Sequence, residues 1–265
     1  MTTENKQEEF NKLIQKIENK NDINTWNENP SRLTCCIIEP RNHSCLRGVL
    51  NNMANVYANT DVGLTIFYSR RNAKLISEII NGWENIRLIQ LKNQNLSLSQ
   101  YNELLTSNKF WENFNSEYVL IFQTDSIIFK QIPEIFFKFD YVGAPWSLEV
   151  EKNINDQLQF RLPRMRGNRC GNGGFSLRKV TKMKKITAGR PRSGYNEDVW
   201  FSKADMILPD LDLQSKFSCE ECYSDDPVGC HKPFRMPKEK YDIFLTKIKE
   251  YIEPIVQADP ALIES

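Results

Sequence analysis

Four short segments of the chain gather residue types that could do chemistry. Gln123-Thr124-Asp125-Ser126 sets one carboxylate beside two hydroxyls, directly after the apolar run Tyr118-Val119-Leu120-Ile121-Phe122. That place suits a metal or ribose contact, and it equally suits a strand-end turn in which Asp accepts backbone hydrogen bonds. Cys170-Gly171-Asn172-Gly173-Gly174-Phe175-Ser176-Leu177-Arg178 holds three glycines in four positions. Such a run lets a ligand or a backbone approach without Cβ clashes, or simply makes a tight turn. Its spacing is neither that of a phosphate-cradling loop nor that of a dinucleotide fingerprint. Asn196-Glu197-Asp198-Val199-Trp200-Phe201 puts an adjacent acidic pair ahead of aromatic residues. A positioned carboxylate of this kind serves as a general base when burial tunes its pKa. Acidic residues also complement the dipole of a helix's first turn.

The fourth segment, Phe217-Ser218-Cys219-Glu220-Glu221-Cys222, is followed by Gly229-Cys230-His231-Lys232-Pro233-Phe234. Cys219, Cys222, Cys230 and His231 offer four soft ligands for a structural zinc ion, although two adjacent ligands strain a tetrahedron. Incidental buried thiols and a redox dithiol remain open beside that reading. Two further features belong with these. Arg161, Arg164, Arg166 and Arg169 could grip a diphosphate or an acidic acceptor, or form a solvated loop face. Trp146 could stack on a sugar ring, or belong to the core.

The elements that must position these residues are legible from hydrophobic spacing. Phe10, Leu13, Ile14 and Ile17 predict an amphipathic helix that docks on the domain or pairs with a partner. Leu33–Ile38 reads as a buried strand, and Leu46, Val49, Leu50, Met53 and Tyr57 form the stripe of a following helix. A second cycle runs through a strand at Leu64–Tyr68, a helical face at Leu75, Ile76, Ile79 and Ile80, and a strand at Ile86–Leu91. One longer helix is expected to carry Tyr101, Leu104, Leu105, Trp111 and Phe114 into a central parallel strand at Tyr118–Phe122. Alternation of this kind argues for an open α/β sheet with ligands beyond the carboxyl ends of its strands. Residues 147–169 turn polar and irregular, and Pro237 opens a last helix with Tyr241, Phe244, Leu245, Ile248 and Ile252 on one face.

Composition narrows the function classes. The chain has 265 residues, enough to bury a sizeable core, with 35 Lys and Arg against 34 Asp and Glu, a net charge of +1. No bulk field draws it onto polyanions, so nucleic acid is not the expected partner. Mean hydropathy is −0.54, and no run approaches the roughly 18 apolar residues of a membrane span. The N-terminal segment is charged throughout and lacks the apolar core of a secretory signal. The seven cysteines therefore read as reduced thiols, the Asn42-His43-Ser44 and Asn95-Leu96-Ser97 sequons as chance, and the compartment as cytoplasmic, that of a host cell or a virion if the source is viral. Abundant Asn, Lys and Ile suit an A/T-rich coding genome, viral or microbial.

In their order, the four constellations resemble the signature set of GT-A-type glycosyltransferases: an acidic metal motif, a glycine loop, an x-Glu-Asp motif and a late histidine. More closely, VLIFQTDSIIF, FDYVGAPW, GNGGFSLR, NEDVWF and GCHKPF look like an incompletely characterised glycosyltransferase-like domain family of microbes, fungi and large viruses, across residues 33–236. The resemblance implies a GT-A-like, Rossmann-type open mixed sheet flanked by helices, as a single domain over residues 26–236. An N-terminal helical extension (1–25) and a C-terminal helix and tail (237–265) flank it. It implies sugar transfer from a nucleotide-sugar donor, a UDP-sugar foremost, to a hydroxyl of a glycan or glycoprotein, metal-assisted and inverting.

By the same resemblance Asp125 and His231 would hold Mn²⁺ or Mg²⁺, with Ser126 or water completing the shell; the commoner motif carries two Asp where this chain carries one. Glu39, Arg41, Thr124, Asp125, Ser126 and Lys232 would line the donor side. Trp146 and the loop Gly171, Asn172, Gly173, Gly174 would line the acceptor and sugar side, the missing side chains admitting the sugar. Asp198 would be the base and Glu197 would orient the acceptor, or the reverse, with Asp198 favoured as base. A homo-oligomer through the N-terminal helix is a further expectation. The reading from a different class is a non-catalytic, zinc-stabilised binding domain. A nucleotidyltransferase is disfavoured because Glu39-Pro40-Arg41-Asn42 stands where a glycine-rich, basic loop is expected.

Overall fold

The computed structural model describes residues 2–149, 171–190, 194–202 and 204–256. The cluster of Arg161, Arg164, Arg166 and Arg169 and the thiol of Cys170 lie outside the described residues. In chain order the strands used below are β1 (Leu33–Ile38), β2 (Val62–Tyr68), β3 (Arg87–Gln90), β4 (Tyr118–Phe122), β5 (Ser126–Ile128), β6 (Tyr141–Val142), β7 (Phe175–Lys179), β8 (Ser218–Cys219) and β9 (Gly229–His231). The helices are α1 (Thr3–Gln15), α2 (Leu46–Tyr57), α3 (Ala73–Ile79), α4 (Leu98–Leu105), α5 (Asn108–Trp111), α6 (Val180–Gly189), α7 (Glu197–Ser202), α8 (Leu211–Phe217) and α9 (Lys238–Val256).

The main sheet has six strands in the order β3-β2-β1-β4-β7-β6. β3, β2, β1 and β4 run parallel, whereas β7 is antiparallel to β4 and β6 is antiparallel to β7. β1 and β4 are buried along their whole length, as continuous apolar runs in a sheet covered on both faces should be. Their side chains alternate between two cores. Cys35, Ile37, Leu120 and Phe122 pack with residues of α1, α2 and α9. Cys36, Ile38, Val119 and Ile121 pack with Phe110, Trp111, Phe114 and Trp200 on the other face. The domain is thus a mixed α/β sheet flanked by helices on both sides.

Two registers bring the chemistry-bearing segments to one edge. Phe175 lies opposite Phe122, so the antiparallel β7 begins where β4 ends, and the glycine loop adjoins Gln123–Ser126. In a second, three-stranded sheet of order β8-β9-β5, His231 lies opposite Ser126. Residues far apart in sequence therefore meet beyond the carboxyl ends of β1 and β4.

One expectation changes. The longer helix after β3 is two helices, α4 and α5, broken at Thr106-Ser107. The Thr106 hydroxyl donates to the Asn102 carbonyl, and the Ser107 hydroxyl accepts from the Phe110 amide. These short hydroxyl side chains compete with helical backbone bonding and cap the second helix. The helix carrying Phe10 and Ile14 docks on the domain, as its apolar stripe predicts, with both residues fully buried. α1 crosses α2 at Gly48, where a Cβ would overlap the carbonyl of Ile14. Lys6 Nζ donates to the Met236 carbonyl at 2.8 Å and Tyr241 Oη donates to the Lys6 carbonyl at 2.6 Å. The helices on either side of residues 26–236 share that segment's core. No helix among the described residues is long and apolar enough to cross a membrane.

Candidate active site

A cavity of about 580 Å³ opens at this edge of the sheet. The loop after β1 contributes Glu39 and Arg41, the loop after β4 contributes Gln123, Thr124 and Asp125, and the segment before β7 contributes Asn172, Gly173 and Gly174. β9 and the turn beyond it add His231, Lys232 and Arg235, and α7 adds Glu197 and Asp198. Most of the sequence-predicted residues are thereby brought together, including Asp125, Glu197 and Asp198.

Glu197 and Asp198 diverge at the start of α7. Glu197 is buried and receives Arg178 through two bonds, NH1 to Oε2 at 2.6 Å and NH2 to Oε1 at 3.0 Å. Arg178 is itself fully buried, stacked on Tyr141 and Phe201, and also donates to the Gly173 carbonyl and the Ser176 hydroxyl. A paired and hydrogen-bonded guanidinium is the form in which such a charge tolerates burial. Asn102 of α4 fixes the helix start, its Oδ1 accepting from the Glu197 amide. Asp198, half-buried on the next residue, accepts among the described residues its neighbour's amide, Val199 N to Oδ1 at 2.7 Å. Burial, aided by the charge of Glu197, pushes its carboxyl up to about 7.

The opposite wall is built around His231. Its Nδ1 lies 2.7 Å from Glu220 Oε2, and its Nε2 lies 3.1 Å from Gln123 Oε1 and 3.2 Å from Asp125 Oδ1. Burial opposes the charged ring, yet Glu220 and Asp125 outweigh it and raise His231 to about 9. Burial likewise opposes ionisation of Asp125, but His231 and Lys232 hold its carboxyl well below the usual range. Lys232 adopts a left-handed backbone at φ 46°, its Nζ 3.7 Å from Asp125 Oδ2. A non-glycine residue held there is strained, and such strain concentrates at functional sites. Arg235 bonds the second oxygen of Glu220 at 2.9 Å. In the loop after β1, Arg41 grips Glu39 through Nε and NH2, both at 2.8 Å.

Several sequence readings are corrected. The glycine loop does not leave room for a sugar at its missing side chains. A Cβ on Gly171 would overlap the Trp146 ring, on Gly173 the Glu197 carboxylate, and on Gly174 the His231 imidazole. The space is taken by the protein's own side chains. Trp146 is buried behind the loop and is absent from the cavity lining, so it offers no open face for stacking. Ser126 is also buried, its hydroxyl accepting from the Gln123 amide and donating to the Gly174 carbonyl, which removes it from a metal shell. Cys219, Cys222, Cys230 and His231 do not form a zinc cage. Cys219 Sγ accepts from the Ser224 amide, Cys222 Sγ donates to the Trp146 carbonyl, and His231 turns both nitrogens to oxygen partners. Burial pushes the Cys219 thiol up to about 12, the opposite of what a thiolate ligand requires.

Glu220, Arg235, Asn102, Tyr101 and Gln7 line the cavity as well, and spacing did not single them out. Glu220 sits between the two cysteines that drew attention as metal ligands; two acidic residues enclosed by cysteines were the available signal.

A divalent cation fits the donors at the Asp125 end. Asp125 Oδ1 is buried and makes no hydrogen bond of good geometry, its contact with His231 Nε2 at 3.2 Å being an ion pair, and His231 would join a cation there by giving up its Nε2 proton. Among the described residues no three His, Cys, Asp or Glu side chains form a complete cage. The set suits a cation that keeps most of its shell for water and substrate oxygens, as Mg²⁺ does.

The chain belongs to the family described as "Protein of unknown function (DUF5672)", whose model matches residues 85–231. No curated protein sequence matches it. Among solved structures, the galactosyltransferase LgtC in complex with donor and acceptor sugar analogs is similar over 87% of this chain and 98% of its own, at 11% identity and a TM-score of 0.57. Mouse xyloside xylosyltransferase 1, in its apo form, is similar over 78% of this chain and 99% of its own, at 10% identity and a TM-score of 0.53. The chain therefore has the fold of GT-A glycosyltransferases.

Proposed function

We propose that this protein is a metal-assisted glycosyltransferase that moves a sugar from a nucleotide-sugar donor, a UDP-sugar foremost, to a hydroxyl of a glycan or glycoprotein acceptor. The observation that carries this reading is the division of the cavity into two chemically distinct walls. One wall presents Arg41, Lys232 and Arg235 around Asp125 and His231, a match for a departing diphosphate. The other presents Asp198, Asn102, Asn172 and Asn196, a match for sugar hydroxyls and an acceptor. The fold shared with LgtC and xyloside xylosyltransferase 1 supports the same reading.

Transfer separates a nucleoside diphosphate from an anomeric carbon while a hydroxyl attacks. Negative charge grows on the leaving oxygens, and fixed cations aimed there stabilise it without reorganisation. Lys232, seated by its left-handed backbone, and the guanidinium groups of Arg41 and Arg235 meet that need. Mn²⁺ or Mg²⁺ held by Asp125 and His231 supplies further Lewis-acid charge stabilisation when bound. Asp198, with its carboxyl near neutrality, accepts the proton of the acceptor hydroxyl. Glu197 remains neutralised by Arg178 and fixes the start of α7, which aims Asp198.

Thermal-shift titration with UDP, GDP, CMP and ADP, each with and without Mn²⁺, tests the reading. A ligand at a hundred times its Kd adds about 2.7 kcal/mol to stability, so a shift with one nucleotide, larger with Mn²⁺, is expected. No shift with any of the four would refute it. Inversion at the anomeric carbon, read by NMR of the product, is the outcome that a single base at Asp198 gives; retention would remove that role.

A further inference from the structure

The small three-stranded sheet sets a row of charged side chains beside one another. β8 and β9 run parallel with Cys219 opposite Cys230, so one step further along the chain from each stand Glu220 and His231. His231 in turn lies opposite Ser126 of β5, one residue past Asp125. Glu220 is only 1% exposed and divides its two oxygens. Oε2 lies 2.7 Å from His231 Nδ1, and Oε1 accepts from Arg235 NH1 at 2.9 Å. An ionised carboxylate can only accept, so the ring nitrogen that faces Glu220 is the one that carries a proton. Nε2 is then the nitrogen free to meet a cation, beside Asp125 Oδ1 at 3.2 Å and Gln123 Oε1 at 3.1 Å. The ring also lies against Gly174, where a Cβ would overlap it. Arg235 balances the charge of Glu220, so the carboxylate acts on this site through its bonds more than through its field.

We infer that Glu220 is a positioning residue that holds the His231 ring with Nε2 toward the divalent cation, while its own oxygens stay committed to His231 and Arg235. The inference rests on the metal-assisted reading above and deepens it, because it names what fixes the sense of the ring. An imidazole that donates one N–H to a carboxylate is kept in a single tautomer and orientation, and its other nitrogen becomes the better ligand. Asp125 is the one carboxylate assigned to the cation, so the site depends on that ring more than a site with two carboxylates would. The bond to Arg235 has a part in the same device, since it keeps the Glu220 carboxylate from turning away from Nδ1.

Binding of Mn²⁺ to the intact chain, read by electron paramagnetic resonance with and without UDP or GDP, tests the inference. Glu220→Gln keeps the size of the side chain, but its one accepting oxygen cannot serve His231 and Arg235 as two do. It should weaken Mn²⁺ about 10–100-fold, the usual cost of losing such a partner. In the His231→Asn background the same substitution should change Mn²⁺ affinity by less than about twofold, because Glu220 acts through the ring; a charge acting through space would cost the same in both. Nitrogen-15 NMR of the native chain with saturating Mg²⁺ should place the His231 proton on Nδ1. That spectrum needs no variant, so it carries the test should Glu220→Gln fail to fold, which circular dichroism checks. A proton on Nε2 with Nδ1 bare, an unchanged Mn²⁺ affinity in Glu220→Gln, or equal cost in the two backgrounds overturns the inference and leaves the nucleotide-sugar reading standing. No Mn²⁺ binding by the native chain under any of these conditions overturns the inference and the metal assistance together, whereas the transfer reading itself falls only if no nucleotide binds.

Discussion

Arg178 takes up the charge of Glu197 through two short bonds and leaves the adjacent Asp198 to the cavity, so two neighbouring carboxylates have different tasks. The proposed base should therefore be separable from donor binding. Asp198→Asn is expected to lower turnover by about 10²–10⁴-fold, the usual worth of a positioned base, with nucleotide affinity within about threefold; steady-state kinetics and calorimetry on the same preparation check it. Because the base works deprotonated and its carboxyl lies near 7, transfer by the native chain should rise with pH through that value. A flat profile between pH 5 and 8 would detach Asp198 from the proton transfer. At this scale the sequence was informative about residue type and poor about partners. Asp125, Asp198 and His231 stood out because acids and a histidine in apolar surroundings are conspicuous. Glu220 and Arg178 did not, since nothing local to either shows the charge it meets across the fold.

The glycine loop and β7 act as one element that seats three side chains of the site. A methyl group on Gly174 would occupy the position of the His231 ring, and overpacking of this kind costs about 1–3 kcal/mol. Gly174→Ala is expected to lower the urea midpoint and to weaken the Mn²⁺-dependent part of nucleotide binding together, whereas a mutant that loses stability alone would show that the ring can move aside. Arg178→Met leaves the Glu197 carboxylate buried and unpaired, a change worth about 3–5 kcal/mol and readable in equilibrium unfolding. The sequence pattern announced this loop by composition, but not what fills its empty Cβ positions, because Trp146, Glu197 and His231 reach it from three separate segments that only the folded chain brings together. The same limit explains the break between α4 and α5. Apolar spacing carries across it, whereas the capping hydroxyls of Thr106 and Ser107 override spacing locally.

Across the whole molecule, strands β1, β2 and β4 and helices α2 and α3 were legible because each is a continuous apolar run or a regular stripe. The small β8-β9-β5 sheet was not, since strands of two or three residues carry no period. One global property follows from Asp198. Its folded carboxyl holds a proton up to about 7 where the ordinary value is 3.8, so the unfolded chain binds fewer protons across that interval. Stability contributed at this residue is then greatest at acid pH and falls as pH rises from about 4 to 7, by at most about 1.4 kcal/mol per pH unit. Urea unfolding at pH 5, 6 and 7 should show a shallower decline in Asp198→Asn than in the native chain. The helix at the other end of the sequence has a consequence of its own. The bond from Lys6 to the Met236 carbonyl spans 230 residues, and it ties α1 to the turn that holds His231 and Arg235. At ribosomal rates of about 5–20 residues per second, Phe10 and Ile14 leave the ribosome roughly 10–45 s before this tie can form. α2 can cover part of α1 early, but the Phe10 ring that meets Phe234 waits through that interval, and it is then that the nascent chain has most to gain from a chaperone.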